Sequence, residues 1–97
     1  MIRVQIQSDS QESALDLVSS AIAAEVSRLN FGLEATMRHI RAFEERYRVT
    51  SEVFQREYTA ENLEGGDEEY VAWAGELKLH ERIAAQLDTL RDVQYAA

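Results

Sequence analysis

The fold is decided by residues 15–47, LDLVSSAIAAEVSRLNFGLEATMRHIRAFEERY. Its apolar positions are Leu15, Val18, Ile22, Val26, Leu29, Leu33, Met37, Ile40, Phe43 and Tyr47, separated by steps of three and four. At 100° per residue they fall on one side of a helix. The rhythm opens 3-4-4 and repeats, which is an eleven-residue period and keeps the stripe nearly straight. It passes Asn30 and Gly32 without losing phase. The spacing therefore predicts one helix over residues 10–48, about 57 Å long. A break at Asn30–Gly32 is the alternative, since Gly32 weakens a helix interior by up to about 1 kcal/mol. Phe31 stands off this stripe. With Leu17, Ala24, Ala35 and Ala42 it makes a narrower apolar line on the opposite face, and a helix with two apolar faces usually touches two neighbours.

Upstream, residues 1–9 form a strand or arm. Ile2, Val4 and Ile6 alternate with Arg3, Gln5 and Gln7, the period of a half-buried strand. A lone strand leaves its ladder unpaired, so this one needs a copy or a partner's sheet edge. Ser8, Asp9 and Ser10 are N-cap candidates, and Asp9 with Glu12 has the capping-box spacing.

Downstream, Thr50 or Ser51 can cap a short helix over 51–58, with Phe54 and Tyr58 on one face. Residues 59–66 read as a loop, marked by Asn62 and Gly65–Gly66. Asp67 is placed to cap a last helix over 67–93, with Glu68 and Glu69 where the helix dipole favours them. Tyr70, Trp73, Ala74, Leu77, His80, Ala84 and Leu87 follow a seven-residue rhythm, widened by Leu79, Ile83 and Leu90. That rhythm suits coiled-coil-like packing on the long helix. Gly75 is a candidate for close approach of another backbone. The expected fold is all-α: a single helical domain, 1–97, with the short and C-terminal helices folded back on the long one as an antiparallel hairpin.

Composition narrows the function. The chain has 97 residues, 45% of them hydrophobic, which argues against wholesale disorder. It has no cysteine, so disulfides and thiolate zinc sites are excluded. The N-terminal residues lack the basic start and apolar run of a signal peptide, and no stretch approaches the roughly 20 apolar residues of a membrane span. A cytoplasmic protein is expected. The net charge is −8, which repels nucleic acid and anionic lipid and favours a basic partner. The charge is uneven. Glu57, Glu61, Glu64, Asp67, Glu68 and Glu69 follow one another without an intervening Lys or Arg, while Arg38, Arg41, Arg46 and Arg48 cluster upstream. Solvated surface accounts for such runs; a sharper reading has the acidic segment dock on a basic protein.

The residues of catalysis are not grouped. His39 and His80 fall in different helices, and the motifs Glu-x-x-His, His-Glu-x-x-His and Gly-x-Ser-x-Gly are absent. Gly65–Gly66 is followed by three acids, which would repel phosphate. Neither enzyme activity, a cofactor nor a metal is expected. Arg3, Gln5 and Gln7 on a paired strand could read base edges, so the start of the chain resembles ribbon-helix-helix repressors. The length of the following helix and the overall charge oppose that reading.

The aromatic set Phe43, Tyr47, Phe54, Tyr58, Tyr70 and Trp73 has two explanations, a small core where three helices meet or a hot-spot patch for a partner. The run FEERYRVTSEVFQREYTAENLEGGDEEYVAWAGELKL, residues 43–79, resembles a pattern in small helical proteins of prokaryotes encoded beside a small toxin-like gene. The pattern is aromatic–Glu–x–x–Tyr, Ser–x–x–Phe, a loop rich in Gly, Asp and Glu, then aromatic–x–x–Trp–x–x–x–Leu. Phe43, Glu44, Tyr47, Ser51, Phe54, Gly66, Asp67, Tyr70, Trp73 and Leu77 match it. The resemblance covers somewhat over a third of the chain and omits the N-terminal part. It implies an antitoxin of a type II toxin–antitoxin pair, which neutralises a basic toxin by covering its active surface. The expected contact or oligomer residues are Leu15, Val18, Ile22, Val26, Leu29, Phe31, Leu33, Met37, Ile40, Phe54, Tyr70 and Trp73, with Glu61, Glu64, Asp67, Glu68 and Glu69 as the acidic segment. A homodimer is expected, and the alternative function is a self-associating structural module with no toxin.

Overall fold

A computed structural model describes residues 11–96. The strand expected at residues 2–7 and the caps expected at Ser8–Ser10 lie outside them. The chain is all-α. Helix α1 spans Gln11–Tyr47, α2 spans Ser51–Glu57, a one-turn 3₁₀ helix covers Ala60–Asn62, and α3 spans Gly66–Ala96. The molecule measures 61 × 21 × 18 Å. Its long dimension is that of α1, whose 37 residues rise about 56 Å.

Contacts climb α1 as they descend α3, so the two helices run in opposite directions. Leu29 packs with Ile83 and Leu87. His39 meets Glu76, and Phe43 stacks on Trp73. Two apolar clusters line this seam. The first is buried Leu29, Ile83 and Leu87, flanked by Val26, Leu33, Leu79 and Leu90. Each buried aliphatic side chain contributes about 1.5–3 kcal/mol over its exposed state. The second gathers Phe54, Leu63 and Trp73 with the aromatic rings around them.

The buried stripe of α1 departs from an eleven-residue rhythm. Thr36, only 2% exposed, lies in the core, while Met37 is half-buried. With Thr36 included, the inward positions are 22, 26, 29, 33, 36, 40, 43 and 47, a strict alternation of four and three. That is a heptad, the period of left-handed helix packing. Thr36 tolerates burial because its hydroxyl donates to Leu33 O at 2.7 Å within its own helix.

Gly32 lies inside α1 without interrupting it. A Cβ there would come within 3.2 Å of Ile83 Cδ1, so Gly32 is where α3 approaches α1 closely. Gly75 has open space around it instead, and the close approach expected there does not occur. Spacing alone does not show which flank of Trp73 faces α1.

Helix α1 ends through Arg48, which adopts a left-handed φ of 54°, the conformation that stops a helix and that glycine usually supplies. Thr50 is the N-cap of α2, its hydroxyl accepting from Val53 N–H at 3.2 Å. Glu44 reaches from α1 to accept the Ser51 N–H at 2.7 Å. The segment expected as a plain loop is partly ordered. Thr59 N–H donates to Asn62 Oδ1 at 2.7 Å, and the 3₁₀ turn delivers Leu63 into the core at 5% exposure. Helix α3 begins at Gly66, with φ of 60°. Asp67 therefore sits inside the first turn with Glu68 and Glu69, not ahead of it as a cap.

Candidate interaction surface

The aromatic half of the molecule is built around Trp73, which has no exposed surface. Phe54 stacks on it at 3.9 Å between ring centroids and 6° between planes. Phe43 stacks at 5.3 Å and 7°, and Tyr47 at 5.9 Å and 18°. Tyr70 and Tyr58 tilt against Phe54 at 5.1 and 6.3 Å. The buried indole N–H donates to Ser51 Oγ at 3.1 Å, so the group finds the partner that burial demands. Phe43, Glu44, Tyr47, Ser51, Phe54, Tyr70 and Trp73 are therefore linked by stacking and hydrogen bonds. Leu77 packs against the same cluster. These residues of the resemblance hold the end of the molecule together.

Beside this cluster runs an electrostatic line. Arg46 Nη2 bonds Glu64 Oε2 at 3.1 Å, and Arg46 Nη1 lies 2.8 Å from Glu69 Oε1. The second pair is at ion-pair distance but off the N–H direction, since Glu69 Oε1 is buried without a hydrogen bond. Glu64 N–H donates to the Tyr47 hydroxyl at 3.1 Å. Its hydrogen bond to Glu64 holds the Arg46 guanidinium above its ordinary value, against a lowering by burial; Glu69 adds to the rise. Partial burial raises the Tyr47 phenol, and the neighbouring Glu69 carboxylate raises it further, while the Glu64 N–H and Arg46 pull the other way. Farther along, His39 Nδ1 meets Glu76 Oε1 at 3.0 Å. His39, Arg46, Glu69 and Glu76 border an open depression of about 300 Å³, lined also by Ala42, Phe43 and Ala72. Among the described residues no three His, Asp or Glu side chains group as a metal site. Arg46 offsets one of the two carboxylate charges it meets, and its pair with Glu69 bridges α1 to α3.

The expected contact residues separate into three groups. Ile22, Leu29, Ile40, Phe54 and Trp73 are buried within the chain. Val18, Val26, Leu33, Met37 and Tyr70 are half-buried. Leu15 and Phe31 are exposed, Phe31 at 70%, and Leu17 beside them at 72%. In the acidic segment Glu61, Glu64, Asp67 and Glu68 are exposed, whereas Glu69 is half-buried and held by Arg46. Among the described residues, Glu61, Asp67 and Glu68 make no ion pair with a basic side chain. Exposed Val71 follows them on α3.

Sequence reasoning missed Thr36, Leu63, Val71 and the role of Arg46. Thr36 carries one signal, its place seven residues after Leu29 and seven before Phe43. Arg46 carries none in the local sequence, because its partners lie 18 and 23 residues away. No helix of the described residues is long and apolar enough to cross a membrane. No family model, curated protein or solved structure matches the chain.

Proposed function

We propose that this chain is an antitoxin-like binding protein that covers a basic partner toxin with its acidic segment and adjoining apolar helical surface. One observation carries the reading. The aromatic residues of the resemblance stack on one another around buried Phe54 and Trp73, and the acidic residues Glu61, Glu64, Asp67 and Glu68 between them lie exposed. Glu61, Asp67 and Glu68 are exposed and make no ion pair with a basic side chain among the described residues, and Val71 offers apolar surface next to them. A surface of that kind mimics the phosphate backbone to a toxin that acts on RNA, and its field draws a basic protein in. The antiparallel helical hairpin serves as the rigid support. Neutralisation of this sort takes place in the cytoplasm, needs no cofactor and involves no chemistry by this chain.

The test is co-expression with the product of the gene beside its own, which the reading requires to be a small basic protein. Growth arrest by the neighbour alone, relief on co-expression and co-purification of the pair are expected. Charge reversal at Glu61, Asp67 and Glu68 should weaken the complex and leave the fold intact. A neighbour that is harmless, or that does not bind the purified chain, overturns the proposal. The second reading, a self-associating module without a toxin, is favoured by the exposed Leu17 and Phe31 on the back of α1. A ribbon-helix-helix role rests on residues 2–7, outside the described residues.

A further inference from the structure

The back of α1 carries a second heptad seam. Starting at Ala14 and ending at Ala42, positions 14, 17, 21, 24, 28, 31, 35, 38 and 42 alternate steps of three and four, and five of the nine are alanine. They lie on the opposite side of the helix from the stripe that packs on α3. The large apolar members, Leu17 and Phe31, are the ones left 72% and 70% exposed. A repeat sustained over that length serves a helical neighbour, and the alanines let its axis come close.

We infer that the neighbour is a second copy of this chain, α1 against α1 and antiparallel, with residue i facing residue 52 − i. A two-fold interface must be self-complementary, and this register makes the seam so. Phe31 lies over Ala21 of the second copy, Leu17 over Ala35, and Arg28 over Ala24, so each large side chain meets an alanine and the layers interdigitate. In the same register Arg38 lies over Ala14, Glu25 faces Ser27 of the second copy and Glu34 faces its Val18, so no charged side chain of the helix meets its twin. A parallel pairing would instead set Arg28, Glu34 and Arg38 each against its twin, and would stack Phe31 on Phe31.

Long-range charge selects the same direction. Tyr47, at the end of α1 that carries the acidic segment, is 21 residues from the two-fold axis at residue 26. The two acidic ends of an antiparallel dimer are then about 63 Å apart, several times the roughly 8 Å screening length at physiological salt. Parallel copies, each with a net charge of −8, would hold those ends side by side. This assignment uses a face away from the acidic segment and does not depend on a toxin.

The full chain, without any toxin, is the material for the test. Native mass spectrometry or light scattering should give twice 11.1 kDa. Phe31→Asp should weaken the dimer by roughly thirtyfold or more, as loss of an interface anchor does. Its far-UV circular dichroism should stay unchanged, because the side chain is exposed in the monomer. The absence of cysteine makes cross-linking clean. Leu17→Cys mixed with Ala35→Cys should form a disulfide-linked heterodimer. Leu17→Cys alone should not, because its two copies sit about 27 Å apart along the helices and a disulfide needs Cα atoms within about 7 Å. A monomeric wild type, a Phe31→Asp variant that dimerises as well as wild type, or self-cross-linking of Leu17→Cys overturns the inference.

Discussion

Removing the Ser51 hydroxyl should destabilise the chain far more than a half-buried serine normally would. Trp73 has no exposed surface, and its indole N–H has Ser51 Oγ as partner at 3.1 Å. With Ser51→Ala the donor is stranded where water cannot replace the oxygen. An unsatisfied buried donor costs about 1–3 kcal/mol, and we expect about 2. A 97-residue chain has about 5–15 kcal/mol of stability in total, so the loss is large. It should lower the melting temperature by roughly 8–16 °C. Trp73→Phe removes the N–H but keeps an aromatic ring between Phe54 and Phe43. In that background Ser51→Ala has no donor to strand, and its cost should fall below about 0.5 kcal/mol. The double-mutant cycle should therefore give a coupling of about 1.5 kcal/mol. Urea unfolding followed by far-UV circular dichroism measures it, since the variants without Trp73 lose their only tryptophan. All four proteins must be held at one concentration, because self-association would add to apparent stability. An equal cost of Ser51→Ala in both backgrounds would refute the reasoning, and would mean that the hydroxyl acts at the start of α2 and not on the indole.

Arg48→Gly should stabilise the chain by about 1 kcal/mol in thermal unfolding, because Arg48 holds a φ of 54° that costs a side-chain-bearing residue about 1–2 kcal/mol. Gly75→Ala should also stabilise, by up to about 1 kcal/mol, since a Cβ there meets nothing. Gly32→Ala should gain little or nothing in the same assay, its Cβ pressing Ile83 Cδ1 at 3.2 Å; equal gains at the two glycines would contradict the packing described. The raised phenol of Tyr47 predicts a loss of stability in alkali. A folded value above the ordinary 10.0 means that the native state holds its proton longer. The contribution is therefore complete below pH 10 and disappears as the pH rises through the folded value. Tyr47→Phe should flatten that part of the stability–pH curve, which denaturant titrations at successive pH values can follow.

The helical class was legible in the sequence because it depends on short-range periodicity. Three- and four-residue steps from Leu15 to Tyr47, and the absence of proline, speak for a helix before any neighbour is known. The acidic segment and the second apolar line through Leu17 and Phe31 were legible for the same reason. The aromatic positions of residues 43–79 were visible as a set, but both of their explanations remained open on the sequence. Packing makes Phe54 and Trp73 interior, as their stacking at 3.9 Å requires.

Other features depend on which residues of distant segments face one another. Thr36 is polar by type, yet its place opposite α3 buries it, and only then does the stripe become a heptad. Gly32 and Gly75 are indistinguishable as letters; the side of the helix that meets Ile83 tells them apart. Arg46 looks like a free cation beside an acidic run until the return of α3 brings Glu69 against it. The sequence by itself thus determined the helices, their apolar faces and the sign of the surface, all properties of residues within two or three turns. The tertiary structure decided which of those faces are consumed and which stay open, because burial and pairing are set by side chains that lie far apart along the chain.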